Sequence, residues 1–181
     1  MASYYGTTAG ANQYFDQRLH SESWTESIPS DRPKALLEAT RIIDALNYKG
    51  VKHSVWLVMY EYDASTEKEE LIKPAPTRDE IITADQSQEL EFPRGKDTTV
   101  PQEIEWACYE TALAIIEGFD PEDAVERLNV IKQSYAAVRT TYAEGSQVME
   151  YLGYGIPTAR VWRWLLPYLT GPNPIVMCRV D

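Results

Sequence analysis

The sequence has few of the residue types that build metal, redox or nucleophilic sites. Its 181 residues include two histidines and two cysteines. His20 and His53 are not at zinc-ligand spacing, and no CxxC occurs. Cys108 lies among alanines in a predicted helix, so we interpret it as a core residue. We therefore predict no metal, no cofactor and no disulfide framework, as expected in a reducing cytosol.

Catalytic motifs are also missing from the sequence. There is no GxxxxGK[ST], no GxGxxG and no GxSxG. His20-Ser21-Glu22 matches half of a zinc-deaminase signature, but the cysteine pair that must complete it is absent. We interpret His20 as a surface residue that follows a helix. The sequence predicts that the protein is not an enzyme.

Positive charge is scarce, and its distribution is uneven. Lysine and arginine number 17 against 28 acidic residues, a net charge of -11, which argues against a free-standing nucleic-acid binder. Ten acids against three bases fall in residues 61–91. We interpret this stretch as solvated surface, and the alternative is an acidic lining that lets DNA slide. No apolar run reaches bilayer length, and the N-terminus has no signal-peptide pattern.

Helical periodicity predicts a body of about four to five helices. Thr8 can cap a first helix over residues 8–19, and Ser30 can open a second that ends near residue 48. Pro101 begins the strongest helix, over residues 101–117, which Gly118 ends. Shorter helices are predicted at 120–128, 145–152 and 158–169. The predicted buried faces are Leu36, Ala39, Ile43 and Leu46 in the second helix, and Ile104, Ala107, Cys108, Ala112 and Ile115 in the strongest.

Extended segments are predicted between and after these helices. Residues 54–62 are β-branched, aromatic or apolar, which favours a strand, and Leu71-Ile72 can form the return strand. Residues 77–91 read as a polar loop with possible short helical pieces, and 130–142 as one extended segment. The fold class is mainly α (α+β) in a single domain. Its parts are a helical core (8–50 and 99–169), a β-hairpin and loop insertion (54–91) and a C-terminal extended arm (172–181).

Several ordered stretches resemble one family. They are ANQYF at 11–15, followed by Arg18-Leu19-His20 and Trp24; ALLEATRIIDALNYKG at 35–50; LEFPRG at 90–95; VPQEIEWACYETALAIIEG at 100–118; and the C-terminal blocks 155–169 and 179–181. Together they are similar to the tailed-bacteriophage head–tail adaptor (connector) family, often labelled "putative DnaT-like". The resemblance covers most of the chain in order, except roughly residues 54–88, which form an insertion relative to shorter relatives.

The resemblance implies a structural protein of the virion neck, assembled in the host cytoplasm. Such a subunit joins a dodecameric ring beneath the portal protein, docks the next tail component and continues the channel for genome ejection. The implied partners are the portal, that tail component, neighbouring copies and genomic DNA that passes without sequence-specific binding. The family label implies a different function, a single-stranded DNA-binding replication accessory, which the net charge disfavours.

Partner contacts are predicted at the apolar tail and at two aromatic residues. A ring subunit buries a different surface against each neighbour, and extended segments can add to a partner's sheet. The tail is too apolar for a comfortable free end, although simple fraying is the alternative. The predicted contact residues are Ile175, Val176, Met177, Arg179 and Val180 in the tail, with Trp56 and Tyr60.

Overall fold

A computed structural model describes residues 3–63, 68–72, 75–121, 123, 132–135, 138–141 and 150–170. The part of the chain that it describes is mainly helical, which confirms the predicted class. The helices are α1 (Thr8–Asp16), α2 (Glu22–Glu26), α3 (Arg32–Asp44), α4 (His53–Met59), α5 (Arg78–Ser87), α6 (Gln102–Ile116), α7 (Glu150–Gly153) and α8 (Ala159–Leu165). The strands are β1 (Tyr60–Asp63), β2 (Lys68–Leu71), β3 (Lys132–Tyr135) and β4 (Val138–Thr141).

Helices α3 and α6 pack side by side and form the centre of the core. Most of their predicted apolar positions are buried, including Leu36 on α3 and Ile104 on α6, whereas Ile115 is half-buried. Helix α6 ends as predicted, because Gly118 takes a left-handed backbone with φ 89°. The N–H of Phe119 then donates to the carbonyl of Ala114 at 2.9 Å, which satisfies a carbonyl at the helix end.

The first two predicted helices correspond to α1 and α3, and both end earlier than predicted. Thr7, not Thr8, caps α1, since its Oγ1 accepts from the N–H of Gly10 at 2.9 Å. The helix ends at Asp16 rather than near residue 19, and His20 has a left-handed backbone with φ 59°. Helix α3 begins at Arg32 and ends at Asp44. Residues 47–49 leave it early because they pair with residues 168–170.

The predicted strand over residues 54–62 is wrong for most of its length. Residues 53–59 form helix α4, and only Tyr60 and its successors are extended. The run is apolar on all sides, so it carries no period that separates helix from strand. Packing of α4 against α5 favours the helix over the β propensity of its residues. Strand β1 pairs with β2 antiparallel, with Tyr60 opposite Leu71.

The segment 77–91, predicted as a loop, contains helix α5. Thr77 and Glu80 form a capping box: the N–H of Glu80 donates to Thr77 Oγ1 at 3.4 Å, and the N–H of Thr77 donates to Glu80 Oε2 at 2.7 Å. Such a box satisfies two N–H groups that a helix start otherwise leaves unpaired. The Thr-x-x-Glu spacing in the sequence was the signal that could have predicted this helix.

The C-terminal half is described in part. Strands β3 and β4 pair antiparallel with each other, so residues 132–141 contain two strands rather than one extended segment. Thr158 caps α8 through a 3.3 Å bond from the N–H of Val161. Helix α7 covers the end of the predicted helix at 145–152. The predicted helix at 120–128 and the arm at 172–181 lie mostly or wholly outside the described residues, and the division into core, insertion and arm stays a prediction.

Candidate functional site

The end of the described chain, residues 167–170, is fixed to the segment that follows α3. The N–H of Lys49 donates to the carbonyl of Tyr168 at 2.8 Å, and Leu169 forms an antiparallel bridge with Tyr48. The N–H and the hydroxyl of Thr170 each donate to the carbonyl of Asn47, both at 3.0 Å. Backbone and side-chain hydrogen bonds therefore hold residues 167–170 to the body.

A groove of about 710 Å³ lies beside this anchored point. Its lining includes Tyr168 from the anchored segment, His53, Trp56 and Leu57 from α4, and Pro101 from the start of α6. Leu57 is 56% exposed, which is high for a leucine on an ordered helix. Residues 96–99 add polar and charged groups to the lining, so the groove combines exposed apolar and aromatic surface with a polar edge.

Three rings form a stack along α4 and into β1. The Trp56 ring lies 6.1 Å from His53 at an interplanar angle of 11°, and 6.1 Å from Tyr60 at 18°. His53 is fixed by a 2.8 Å bond between its Nδ1 and the carbonyl of Gly95. Trp56 itself is buried, whereas His53 and Tyr60 at the two ends of the stack are half-buried.

The structure therefore brings two of the predicted contact residues together. Trp56 and Tyr60 belong to one stack, and Trp56 shares its groove with Tyr168. The other predicted contacts lie outside the described residues: Ile175, Val176, Met177, Arg179 and Val180.

A second site, which the sequence did not predict, surrounds Glu110 of α6. This carboxylate is 4% exposed. Its Oε1 accepts from the Tyr14 hydroxyl at 2.7 Å and from Arg18 Nε at 2.8 Å, and lies 3.6 Å from Arg160. Tyr14 lies in the last turn of α1, and Arg18 lies in the turn that follows the helix, where its N–H donates to the carbonyl of Phe15. In the sequence, the acidic Glu110 within a mostly apolar helix was the signal that could have predicted a buried polar cluster.

The Glu110 cluster lies below an open groove of about 770 Å³ between α1, α6 and Arg160. Burial and the neighbouring carboxylate of Glu110 raise the pKa of Tyr14. Glu110 accepts bonds from two donors, so the carboxylate is committed to holding α1 against α6. We interpret the cluster as structural, because Glu110 is engaged by Tyr14 and Arg18 and the raised pKa keeps the Tyr14 hydroxyl protonated at neutral pH.

Cys108 has the environment of a core residue, as predicted. The thiol is fully buried, and burial raises its pKa to about 12. Its Sγ lies 3.4 Å from Thr40 Oγ1. At neutral pH the thiol is protonated and inaccessible, so it cannot serve as a nucleophile.

Among the residues that the structure describes, no three histidine, cysteine, aspartate or glutamate side chains lie close enough together to hold a metal ion. None of the described helices has both the length and the apolar character needed to cross a bilayer.

Comparisons with protein-family models, with curated protein sequences and with solved structures returned no match. The function is therefore inferred from the geometry of this chain and from the resemblance of its sequence.

Proposed function

We propose that this protein is a structural subunit of a bacteriophage neck. In this proposal its copies form a ring beneath the portal, dock the next tail component and continue the DNA channel. The proposal rests on the resemblance of the sequence blocks to head–tail adaptors, and the mainly helical fold is compatible with it.

One observation carries the proposal furthest: the anchored segment 167–170 lies next to the aromatic groove on α4. A terminal arm that captures a partner must transmit force to the body without unravelling. Two backbone hydrogen bonds, one between Lys49 and Tyr168 and one between Thr170 and Asn47, supply such an attachment, and the Thr170 hydroxyl adds a third bond. The groove then gives the partner a second contact beside the arm.

The charge of the chain supports this function over single-stranded DNA binding. A net charge of -11 repels the phosphate backbone, whereas a channel protein must let DNA pass without retaining it. We expect the ring to bind the portal and not to bind free DNA at moderate salt.

The test is a binding experiment with purified portal. We expect the full chain to form a closed ring on the portal in single-particle images. A variant that replaces residues 175–180 with glycine and serine of equal length should fold normally and lose portal binding. Leu57→Asp should weaken binding, because it places a charge in the apolar groove.

Asn173→Ser is the matched control, since it alters the arm outside the predicted contacts, and it should bind normally. Circular dichroism and the unfolding midpoint check the fold of each variant. Normal portal attachment by the glycine–serine variant would contradict the proposal, as would a full chain that binds no portal.

A further inference from the structure

The groove beside α4 includes part of the C-terminal segment in its own wall. Tyr168 lines it together with Trp56 and Leu57 of α4. Leu57 is 56% exposed there, so the groove still has apolar surface in contact with solvent. Thr170, the last residue that the structure describes, follows Tyr168 by two positions. The groove therefore lies within a few residues of the point where residues 171–181 begin.

The backbone pairing fixes the direction in which the chain leaves this groove. Leu169 forms an antiparallel bridge with Tyr48, and Thr170 is bonded to Asn47. The chain therefore runs from Tyr168, at the groove, toward Asn47 and the end of α3. An extended residue advances about 3.3 Å, so Thr170 stands only about 7 Å beyond Tyr168. A return to the groove needs a reversal of the chain after Thr170.

The sequence after Thr170 supplies both the reversal and an apolar segment. Residues 171–174 are Gly-Pro-Asn-Pro, which are residue types that favour turns. Residues 175–180 are Ile-Val-Met-Cys-Arg-Val, with a single charged residue. These six residues span about 20 Å when extended. That length exceeds the distance from Thr170 back to Tyr168 together with the length of α4, which is about 10 Å for its seven residues.

We propose that residues 175–180 dock in the groove beside α4 of their own subunit, with apolar side chains against Leu57 and Tyr168. Burial of these apolar surfaces against each other removes both from water. A segment on a short tether has an effective concentration of millimolar order at its site. It therefore occupies the groove ahead of an untethered segment of the same chemistry, so that the tether selects the occupant.

This docking deepens the proposed function and rests on it in one respect, the presentation of the arm to the portal. An arm that is held along α4 has lost its conformational freedom before it meets the portal, which lowers the cost of binding. The docked arm and the groove then form one contact surface. Leu57→Asp weakens portal binding in this arrangement because it releases the arm.

The experiment cross-links the arm to the groove through Cys178, which lies within the docking segment. The other natural cysteine, Cys108, is fully buried and does not compete. Thr99 is exposed and lines the groove, so Thr99→Cys places a second thiol there in the full chain. We expect a short bis-maleimide to join the two thiols within one subunit. Mass spectrometry and a monomer band on a denaturing gel identify this product.

Ala45→Cys is the matched control for the reach of the arm. Ala45 is exposed and stands two residues before Asn47, to which Thr170 is bonded. Since the chain runs toward Ala45 as it passes Thr170, an undocked arm meets a thiol at this position at least as often as one in the groove. We therefore expect cross-linking of Thr99→Cys to be about tenfold faster or more than that of Ala45→Cys.

A matched pair of exposed leucines tests the apolar contact. Leu57 and Leu71 are 56% and 59% exposed, and of the two Leu57 lines the groove. In the Thr99→Cys chain, Leu57→Asp should lower the cross-linking rate about tenfold, because docking then buries a carboxylate. Leu71→Asp should leave the rate unchanged. Circular dichroism checks the fold of each variant.

Equal cross-linking rates for Thr99→Cys and Ala45→Cys would overturn the proposal, as would a rate that Leu57→Asp does not lower. A cross-linked dimer in place of the monomer would also overturn it, in favour of an arm that docks on a second copy. The expected cross-linking pattern without portal binding would remove the neck function and keep the docking. Portal binding with equal cross-linking rates would keep the neck function and remove the docking.

Discussion

The helical body and the side region, residues 52–95, use similar residues in different ways. In the body, the facing sides of α3 and α6 are completely buried, including Leu36, Ile43 and Ile104. In the side region, α4 and α5 bury Val55, Trp56 and Ala84 but leave Leu57 and Ile82 exposed. The α3–α6 contact is thus closed to solvent, whereas α4 and α5 each keep a large apolar side chain exposed.

The two regions meet at a polar seam. The Arg94 guanidinium donates to the carbonyls of Lys49 and Gly50, at 3.0 and 2.6 Å, and pairs with Glu91. The Tyr5 hydroxyl donates to Asp44 at the end of α3 and accepts from the N–H of Phe92 at 3.2 Å. Phe92 adds apolar packing at the same seam, since it is 2% exposed and packs against Tyr48 and Tyr168. The position of the side region therefore depends on both hydrogen bonds and apolar packing.

The largest expected effect separates the two regions by a matched pair of leucines. Leu36→Ala should lower the free energy of unfolding by about 2–5 kcal/mol, because it leaves a cavity in the α3–α6 contact. Leu57→Ala should change it by less than about 0.5 kcal/mol, since that side chain is already exposed. Urea denaturation measures both, and equal losses would contradict the contrast.

A smaller effect is expected inside the body at the buried carboxylate. Glu110→Ala should lower the free energy of unfolding by about 2 kcal/mol, because the Tyr14 hydroxyl and the Arg18 guanidinium lose their acceptor. Arg160→Ala is the control and should cost under about 1 kcal/mol, since Arg160 is 59% exposed and lies 3.6 Å from Glu110. If Glu110→Ala proves no worse than Arg160→Ala, the cluster does not hold α1 against α6.

The smallest effect concerns the seam and depends on pH. Burial raises the pKa of Asp44 from 3.8 to about 6, although the bond from Tyr5 opposes the shift. The folded state then holds a proton that the unfolded state releases, so this contribution to stability is complete below about pH 3.8 and is lost as the pH rises through about 6. Asp44→Asn should remove that decline.

Denaturation at a series of pH values between 4 and 7 measures this difference. The sign is informative, because a carboxylate whose pKa is lowered would produce a rise in stability over the same interval. An unaltered chain and an Asp44→Asn variant with parallel pH profiles would show that Asp44 does not govern the seam.

Sequence patterns predicted the body well and the side region poorly, for a physical reason. Three local signals predict helix α6: Pro101 before it, Gly118 after it and apolar residues at helical spacing between them. Residues 55–59 are apolar without interruption, so their β propensity predicts a strand. Contact with α5 instead favours a helix over residues 53–59. Helix α5 was missed because its face is mostly polar, despite the Thr77–Glu80 capping box.

The candidate site also has a part that the sequence predicts and a part that only the folded chain shows. Trp56 and Tyr60 could be selected from the sequence because large aromatic residues are enriched in protein contacts. Their stacking with His53, and the proximity of Trp56 to Tyr168, required the folded chain. The same holds for Glu110, whose partners Arg18 and Tyr14 lie 92 and 96 residues away in sequence.

The sequence by itself determined the helical class, the ends of α6, the buried faces of α3 and α6 and the acidic character of the surface. These follow from local rules, since caps, periodicity and charge act within a few residues. Only the tertiary structure decided that residues 53–59 are helical, that residues 167–170 are anchored to residues 47–49, and that Glu110 accepts hydrogen bonds from Tyr14 and Arg18. Those outcomes depend on contacts between segments far apart in the chain, where packing and hydrogen bonding outweigh local preference.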